Sequence, residues 1–159
     1  MIREFEPRDL NGLIRLGRYH ARETGVQDAL PFDDVYATKN LRQLFVDPNV
    51  KCLVVEKNDE IIGYAIFMLH TKLWNPTLFG ELYFFYIIDG ERNKMVADML
   101  WSEMIAVCKK HGAQFFESDV TAWTKDYVGS KDAVDRVSTY YEHKRGEHCG
   151  NHYVHRIEY

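Results

Sequence analysis

The chain has 159 residues, 46% of them apolar and 14% aromatic, and a formal net charge of −4. That length points to one domain, residues 1–159, with one core built on large rings. The negative balance offers nucleic acid no bulk attraction, and the longest apolar run, residues 61–69, is too short for a bilayer, which takes about 20 residues.

Cys52, Cys108 and Cys149 are odd in number and far apart, with no pair at zinc spacing. The opening MIREFEPRDL is charged where a secretion signal needs an apolar stretch. A soluble cytoplasmic protein with free thiols is expected.

Residues 2–5 read as a short strand. Pro7 then suits a first helical position, where the missing N–H has no helical partner anyway. Leu10, Leu13, Ile14 and Ala21 follow at helical spacing, up to a stop near Gly25. Residues 26–32 read as a loop held by Pro31. Asp33 or Asp34 caps a second helix, with Val35, Leu41, Leu44 and Phe45 as its buried stripe. Residues 51–56 and 60–70 read as strands joined at Asn58-Asp59, an antiparallel hairpin. Residues 71–78 read as a loop with an exposed Trp74.

The run Glu81-Leu82-Tyr83-Phe84-Phe85-Tyr86-Ile87-Ile88 shows no alternation after Glu81, which predicts a strand buried on both faces. Asp89-Gly90-Glu91 breaks it, and a long amphipathic helix spans about 92–111. Val96, Ala97, Leu100, Trp101, Met104, Val107 and Cys108 share its apolar face. Gly112 stops it. A strand over 114–120, a loop over 121–130, a helix to about Lys144 and two terminal strands around Cys149-Gly150-Asn151-His152 complete the chain. The order β α α β β β α β α β β is not a doubly wound alternation. A central strand opening into a helix leaves unpaired N–H groups at the helix start, a site for anions and phosphates above all.

This order resembles the GCN5-related N-acetyltransferase family over nearly the whole chain. IREFEPRDLNGLIRLGRYHARE resembles that family's first strand and helix. ELYFFYIIDGERNKMVADML resembles its fourth strand, pyrophosphate loop and third helix, SDVTAW its fifth strand, and YYEHKRG its segment with Phe-Tyr ahead of Gly-Phe. The resemblance implies an α/β (α+β) fold with a mixed, mostly antiparallel sheet of about seven strands flanked by about four helices. It also implies acetyl-coenzyme A as donor and transfer of acetyl to a primary amine by direct attack, since no cysteine matches a nucleophile position.

The family's loop reads Arg or Gln, two residues, Gly, one residue, Gly or Ala. Arg92 and Ala97 fit; Met95 stands at the first glycine, where bulk and a restricted φ replace bare backbone. The resemblance places Arg92, Asn93, Lys94, Met95, Val96 and Ala97 around the diphosphate, and Tyr86, Ile87 and Ile88 along the pantetheine arm. It implies Glu81 as general base, acting through water, and Tyr141, with Tyr140 as the alternative, as general acid.

Trp74 and Trp123, in loops at the cofactor end, are candidates for the acceptor pocket or for a subunit contact. No metal site is expected: His152 and His155, three apart on one strand, point to opposite faces. The expected partner is a small-molecule or protein amine, not nucleic acid or membrane, with a homodimer left open. The chain also has the general look of such domains encoded by bacteriophages. That keeps a second reading open: a degraded, non-catalytic member used as a binding or structural component, in a host cytoplasm or a virion.

Overall fold

A computed structural model describes residues 1–119, 144, 146–149 and 152–158. β1 (Ile2–Glu4) leads through a 3-10 turn (Pro7–Asp9) into α1 (Leu10–Glu23). Then come α2 (Val26–Ala29), α3 (Asp34–Leu44), β2 (Val50–Lys57), β3 (Glu60–Lys72), β4 (Asn75–Ile87), α4 (Lys94–Lys110), β5 (Phe115–Asp119), β6 (Gly146–Cys149) and β7 (His152–Arg156). The strands form one sheet in the order β1-β2-β3-β4-β5-β7-β6. Among the described residues only the β4–β5 pair is parallel; the other five are antiparallel. The expected class, a mixed and mostly antiparallel sheet with flanking helices, is the observed one.

Local chemistry sets the element ends. Asn58 and Asp59 both take positive φ, 52° and 62°, so two residues turn β2 into β3. Asp33, not Asp34, caps α3, accepting from the Val35 and Tyr36 N–H groups at 2.9 and 3.0 Å. Asn93 caps α4 in the same way, accepting from Val96 N–H at 3.0 Å. Gly112, at φ +85°, ends α4.

Three expectations need correction. Residues 26–32 are not all loop, because α2 occupies Val26–Ala29. Residues 71–78 are mostly strand: β3 reaches Lys72, β4 begins at Asn75, and the turn is Leu73-Trp74. Val35 is 81% exposed rather than buried. It lies in the first turn of α3, and the packing of that helix rests on Leu41, Leu44 and Phe45 further along.

The sheet has a helix layer on each face. On one, Leu69, Leu82 and Phe116 pack against Leu100, Trp101, Met104 and Cys108 of α4. Contact is so close at Gly80 that a Cβ there would fall 2.6 Å from the Phe116 ring and 2.7 Å from Cys108 Sγ. On the other, Val54, Tyr64, Ile66 and Tyr86 pack against Leu13 and Leu16 of α1. There α1 is also pinned by charge. Arg3 donates to Asp9 Oδ2 and Oδ1 at 2.6 and 2.8 Å and to Glu56 at 2.6 Å. The Asp9 carboxyl is buried, and these bonds from Arg3 hold it below the usual carboxylate range.

Candidate active site

β4 and β5 run side by side for three rungs only, Phe79↔Phe115, Gly80↔Phe116 and Glu81↔Glu117. β4 stays paired to β3 as far as Ile87, while β5 stays paired to β7 as far as Asp119. The two central strands therefore part immediately after Glu81. The cause lies two residues on. Leu82 pairs with Phe67 and Phe84 with Ile66, so Tyr83 is an extra residue, a β-bulge that bends β4 away. This also corrects the expectation of a doubly buried strand: Tyr83 and Phe84 are 39% and 47% exposed.

Beyond the bulge, one edge of β4 looks into the opening. Ile88 N–H donates to Ile62 O of β3 at 2.9 Å, so alternation turns the backbone groups of Ile87 and Phe85 the other way. Ile87 O already accepts from Arg92 Nε at 2.7 Å. The Ile87 and Tyr86 side chains are buried and that of Ile88 is half-buried.

Glu81 stands at the apex. Its neighbours Gly80 and Leu82 face α4, so Glu81 faces the α1 side. Leu69 also faces α4, which turns His70 to the same side as Glu81. His70 Nε2 lies 2.9 Å from Glu81 Oε2. The contact has ion-pair distance without hydrogen-bond alignment, and Nε2 is buried with no other partner. The adjacent carboxylate, Glu117, is taken by Lys72 Nζ at 2.5 Å. Phe79 stacks on Phe115 beside these groups, ring centroids 5.3 Å apart.

At the far end of β4 a second cluster joins α1 to the start of α4. The Arg92 guanidinium bonds Glu23 and sits 5.3 Å over the Tyr86 ring. Tyr86 Oη donates to the other Glu23 oxygen at 2.7 Å. Burial, then Glu23, pushes the Tyr86 hydroxyl far up. Burial, the largest single influence, works against the Arg92 charge, but the hydrogen bond and charge of Glu23 together with Tyr86 and Asp89 outweigh it and the net direction is up. His20 stacks on Tyr86 at 4.7 Å and touches Tyr64 Oη through Nδ1 at 3.0 Å; burial pushes its imidazole down, towards the neutral form.

Met95 lies in the first turn of α4, 68% exposed, and among the described residues only Asn58 and Asp59 are non-glycines at positive φ. The feared backbone conflict is absent because the chain enters α4 as an ordinary capped helix. Asn93 satisfies Val96 N–H, and Ala97 N–H bonds Asn93 O at 3.1 Å. Lys94 is exposed, and Val96 and Ala97 are half-buried against the core.

Trp74 is 83% exposed. It lies at the β3–β4 turn, at the opposite end of β4 from the start of α4 and not at the cofactor end. From Glu81 it is seven residues back, roughly 20 Å along a strand. Trp123, Tyr140 and Tyr141 lie outside the described residues. Cys52 and Cys108 are free and buried; burial pushes the Cys108 thiol up to about 12 and that of Cys52 higher still, so neither is a nucleophile at neutral pH. The sequence reading gives no functional role to Glu23, His20 or His70. A hairpin turn placed at Leu73-Trp74 brings His70 and Glu81 near each other across two strands. No sequence signal links Glu23 to Arg92.

Among the described residues the site therefore sits in a seven-stranded mixed sheet whose parallel central pair parts beside a bulge, with a helix opening beyond it. The sequence pattern of the Acetyltransferase (GNAT) family matches residues 18–127, and the chain belongs to that family. No curated protein matches it. Among solved structures, a Clostridium difficile 630 protein described as a possible acetyltransferase superposes with a TM-score of 0.72 at 20% identity, covering 94% of this chain and 91% of that one. A GNAT-family acetyltransferase candidate from Desulfovibrio desulfuricans gives 0.71 at 13% identity, covering 99% of both. The PaiA N-acetyltransferase of Thermoplasma acidophilum, solved in complex with coenzyme A, gives 0.68 at 15% identity, covering 100% of this chain and 98% of that one. No helix among the described residues is long and apolar enough to cross a membrane.

Proposed function

We propose that this protein moves acetyl from acetyl-coenzyme A to a primary amine by direct attack. The observation that carries the reading is the parting of β4 and β5 after Glu81, which opens a strand edge between a carboxylate and a helix start. The pantetheine amides would bond the open edge around Phe85 and Ile87. The diphosphate would meet the N–H groups of Lys94 and Met95, with Lys94 and Arg92 supplying charge. Coenzyme A phosphate and Glu23 then compete for Arg92. An alkylamine holds its proton up to a pH of about 10 and must lose it before it attacks. Glu81, at the apex, is placed to receive that proton through water, and Tyr141 is proposed to protonate the departing thiolate. The acceptor is a small-molecule or protein amine.

A second reading has its own observation. Arg92 is paired with Glu23 and Asn93 caps the Val96 N–H, so part of the charge and hydrogen-bonding capacity of the helix start is taken without a ligand. Under that reading the fold serves as a binding or structural component, a phage particle protein among the options. Isothermal titration with acetyl-coenzyme A separates the two: micromolar binding is expected, and none at millimolar ligand leaves only the second. A mass-spectrometric screen of amines then names the acceptor. Glu81→Gln should cut turnover on the order of a hundredfold with donor affinity kept.

A further inference from the structure

Glu81 has an unusual companion for a lone carboxylate base. Of the two carboxylates on the last β4–β5 rung, Glu117 is held by Lys72, and Glu81 is left with His70. His70 Nε2 is buried against Glu81 Oε2, with no other partner. A bare nitrogen lone pair 2.9 Å from a carboxylate oxygen would be repelled, which favours the hydrogen on this nitrogen. In a neutral imidazole the other nitrogen is then the acceptor. Among the described residues none hydrogen-bonds His70 Nδ1. The His70 side chain is 23% exposed and that of Glu81 34%, so neither is sealed from solvent. Free imidazole takes up its proton near neutrality and a free carboxylate near pH 4, so imidazole is the better acceptor for an ammonium proton.

We propose that His70 Nδ1 is the proton acceptor for the amine, with Glu81 fixing the tautomer and balancing the imidazolium. The inference rests on the acetyltransferase reading. The ammonium gives one proton to His70 Nδ1, which passes it to water. The freed lone pair attacks the thioester carbonyl carbon, the C–N bond forms and the C–S bond breaks. Tyr141, as proposed above, gives a proton to the departing sulfur and is reprotonated by the second proton of the attacking nitrogen. In this scheme His70 takes over the role proposed above for Glu81, which becomes a positioning residue.

The test uses the full chain, acetyl-coenzyme A and two probe amines: propylamine, protonated at pH 7.5, and hydroxylamine, already unprotonated. Release of free thiol is followed. His70→Gln keeps an N–H towards Glu81 but has no basic nitrogen. It should lose transfer to propylamine on the order of a hundredfold and keep transfer to hydroxylamine within about twofold. In His70→Ala, added imidazole should restore much of the propylamine rate. Nitrogen-15 spectra of the unliganded protein should show His70 protonated at Nε2 and bare at Nδ1. An unchanged propylamine rate in both variants, equal loss on both amines without imidazole rescue, or the opposite tautomer overturns the proposal. Titration of the wild type with acetyl-coenzyme A is the control. No binding there removes the donor and with it the acetyltransferase reading, whereas binding with His70 indifferent removes only the role of His70.

Discussion

The two faces of the sheet are held by different physics. Under α4 the contact is dry: Leu69, Leu82 and Phe116 against Leu100, Trp101 and Met104, with Gly80 leaving room for nothing but hydrogen. Under α1 the same strands carry Tyr64, Tyr86, His70 and Glu81, and the helix is secured by charge at both ends, Arg3–Asp9 at its start and Arg92–Glu23 at its finish. Apolar packing is insensitive to what binds nearby. Ion pairs and tyrosine hydroxyls exchange partners at modest cost. The α4 face is therefore the scaffold, and the α1 face is where ligands and protons can compete with the fold's own contacts.

The largest effect should come from breaking the dry face. Phe116 is wholly buried and meets Phe67 and Trp101 edge-on. Phe116→Ala should cost about 3–5 kcal/mol, read as a fall in the urea midpoint, with the slope unchanged. On the charged face, Asp9→Asn should cost about 1–3 kcal/mol at neutral pH, because Arg3 loses its main carboxylate partner. The pH dependence sharpens the contrast. Arg3 depresses the Asp9 carboxyl in the folded state, so its contribution is complete above the unfolded value of about 4 and disappears as the pH falls through the folded value below it. The gap between wild type and Asp9→Asn should close in acid, whereas the gap for Phe116→Ala should not.

At the other end of α1, Glu23→Gln frees Arg92 for phosphate. The pair is partly exposed, 45% and 35%, and so is screened by solvent. Coenzyme A affinity should therefore rise only about two- to fivefold, matching 0.4–1 kcal/mol for such a pair. Calorimetry at low and moderate salt would check this. A loss of affinity instead would mean that Glu23 holds Arg92 in place rather than withholding it.

The split between the faces also explains what the sequence could show. The α4 face was legible because it follows periodicity: every residue assigned to its apolar face, from Val96 to Cys108, is buried or packed against the core. The order of elements along the chain up to the helix stop at Gly112, α2 apart, was legible for the same local reasons. The other face was not, since its contacts join residues far apart. Glu23 meets Arg92 across 69 positions and His70 meets Glu81 across a hairpin. The aromatic run hid a bulge because Tyr83 and Phe84 read as core by composition, and only strand register shows that one residue is surplus. Residue type places a side chain in or out of a core; it does not say which polar groups will find each other.

Met95 is where local reading and structure part most clearly, and it gives the smallest effect. By composition it is the one misfit in the phosphate loop. In the structure its side chain projects into solvent from the first turn of α4, on the open surface shared with Lys94 and Met99 and away from the Asn93 cap. Nothing there needs positive φ, so the freedom of glycine gains nothing and its flexibility counts against the helix. Met95→Gly should therefore lower stability by up to about 1 kcal/mol and leave coenzyme A affinity within about twofold. Tighter binding by tenfold or more would mean that this methionine blocks the helix start. The satisfied, capped state of α4 would then be an obstacle to the donor and not the seat prepared for it.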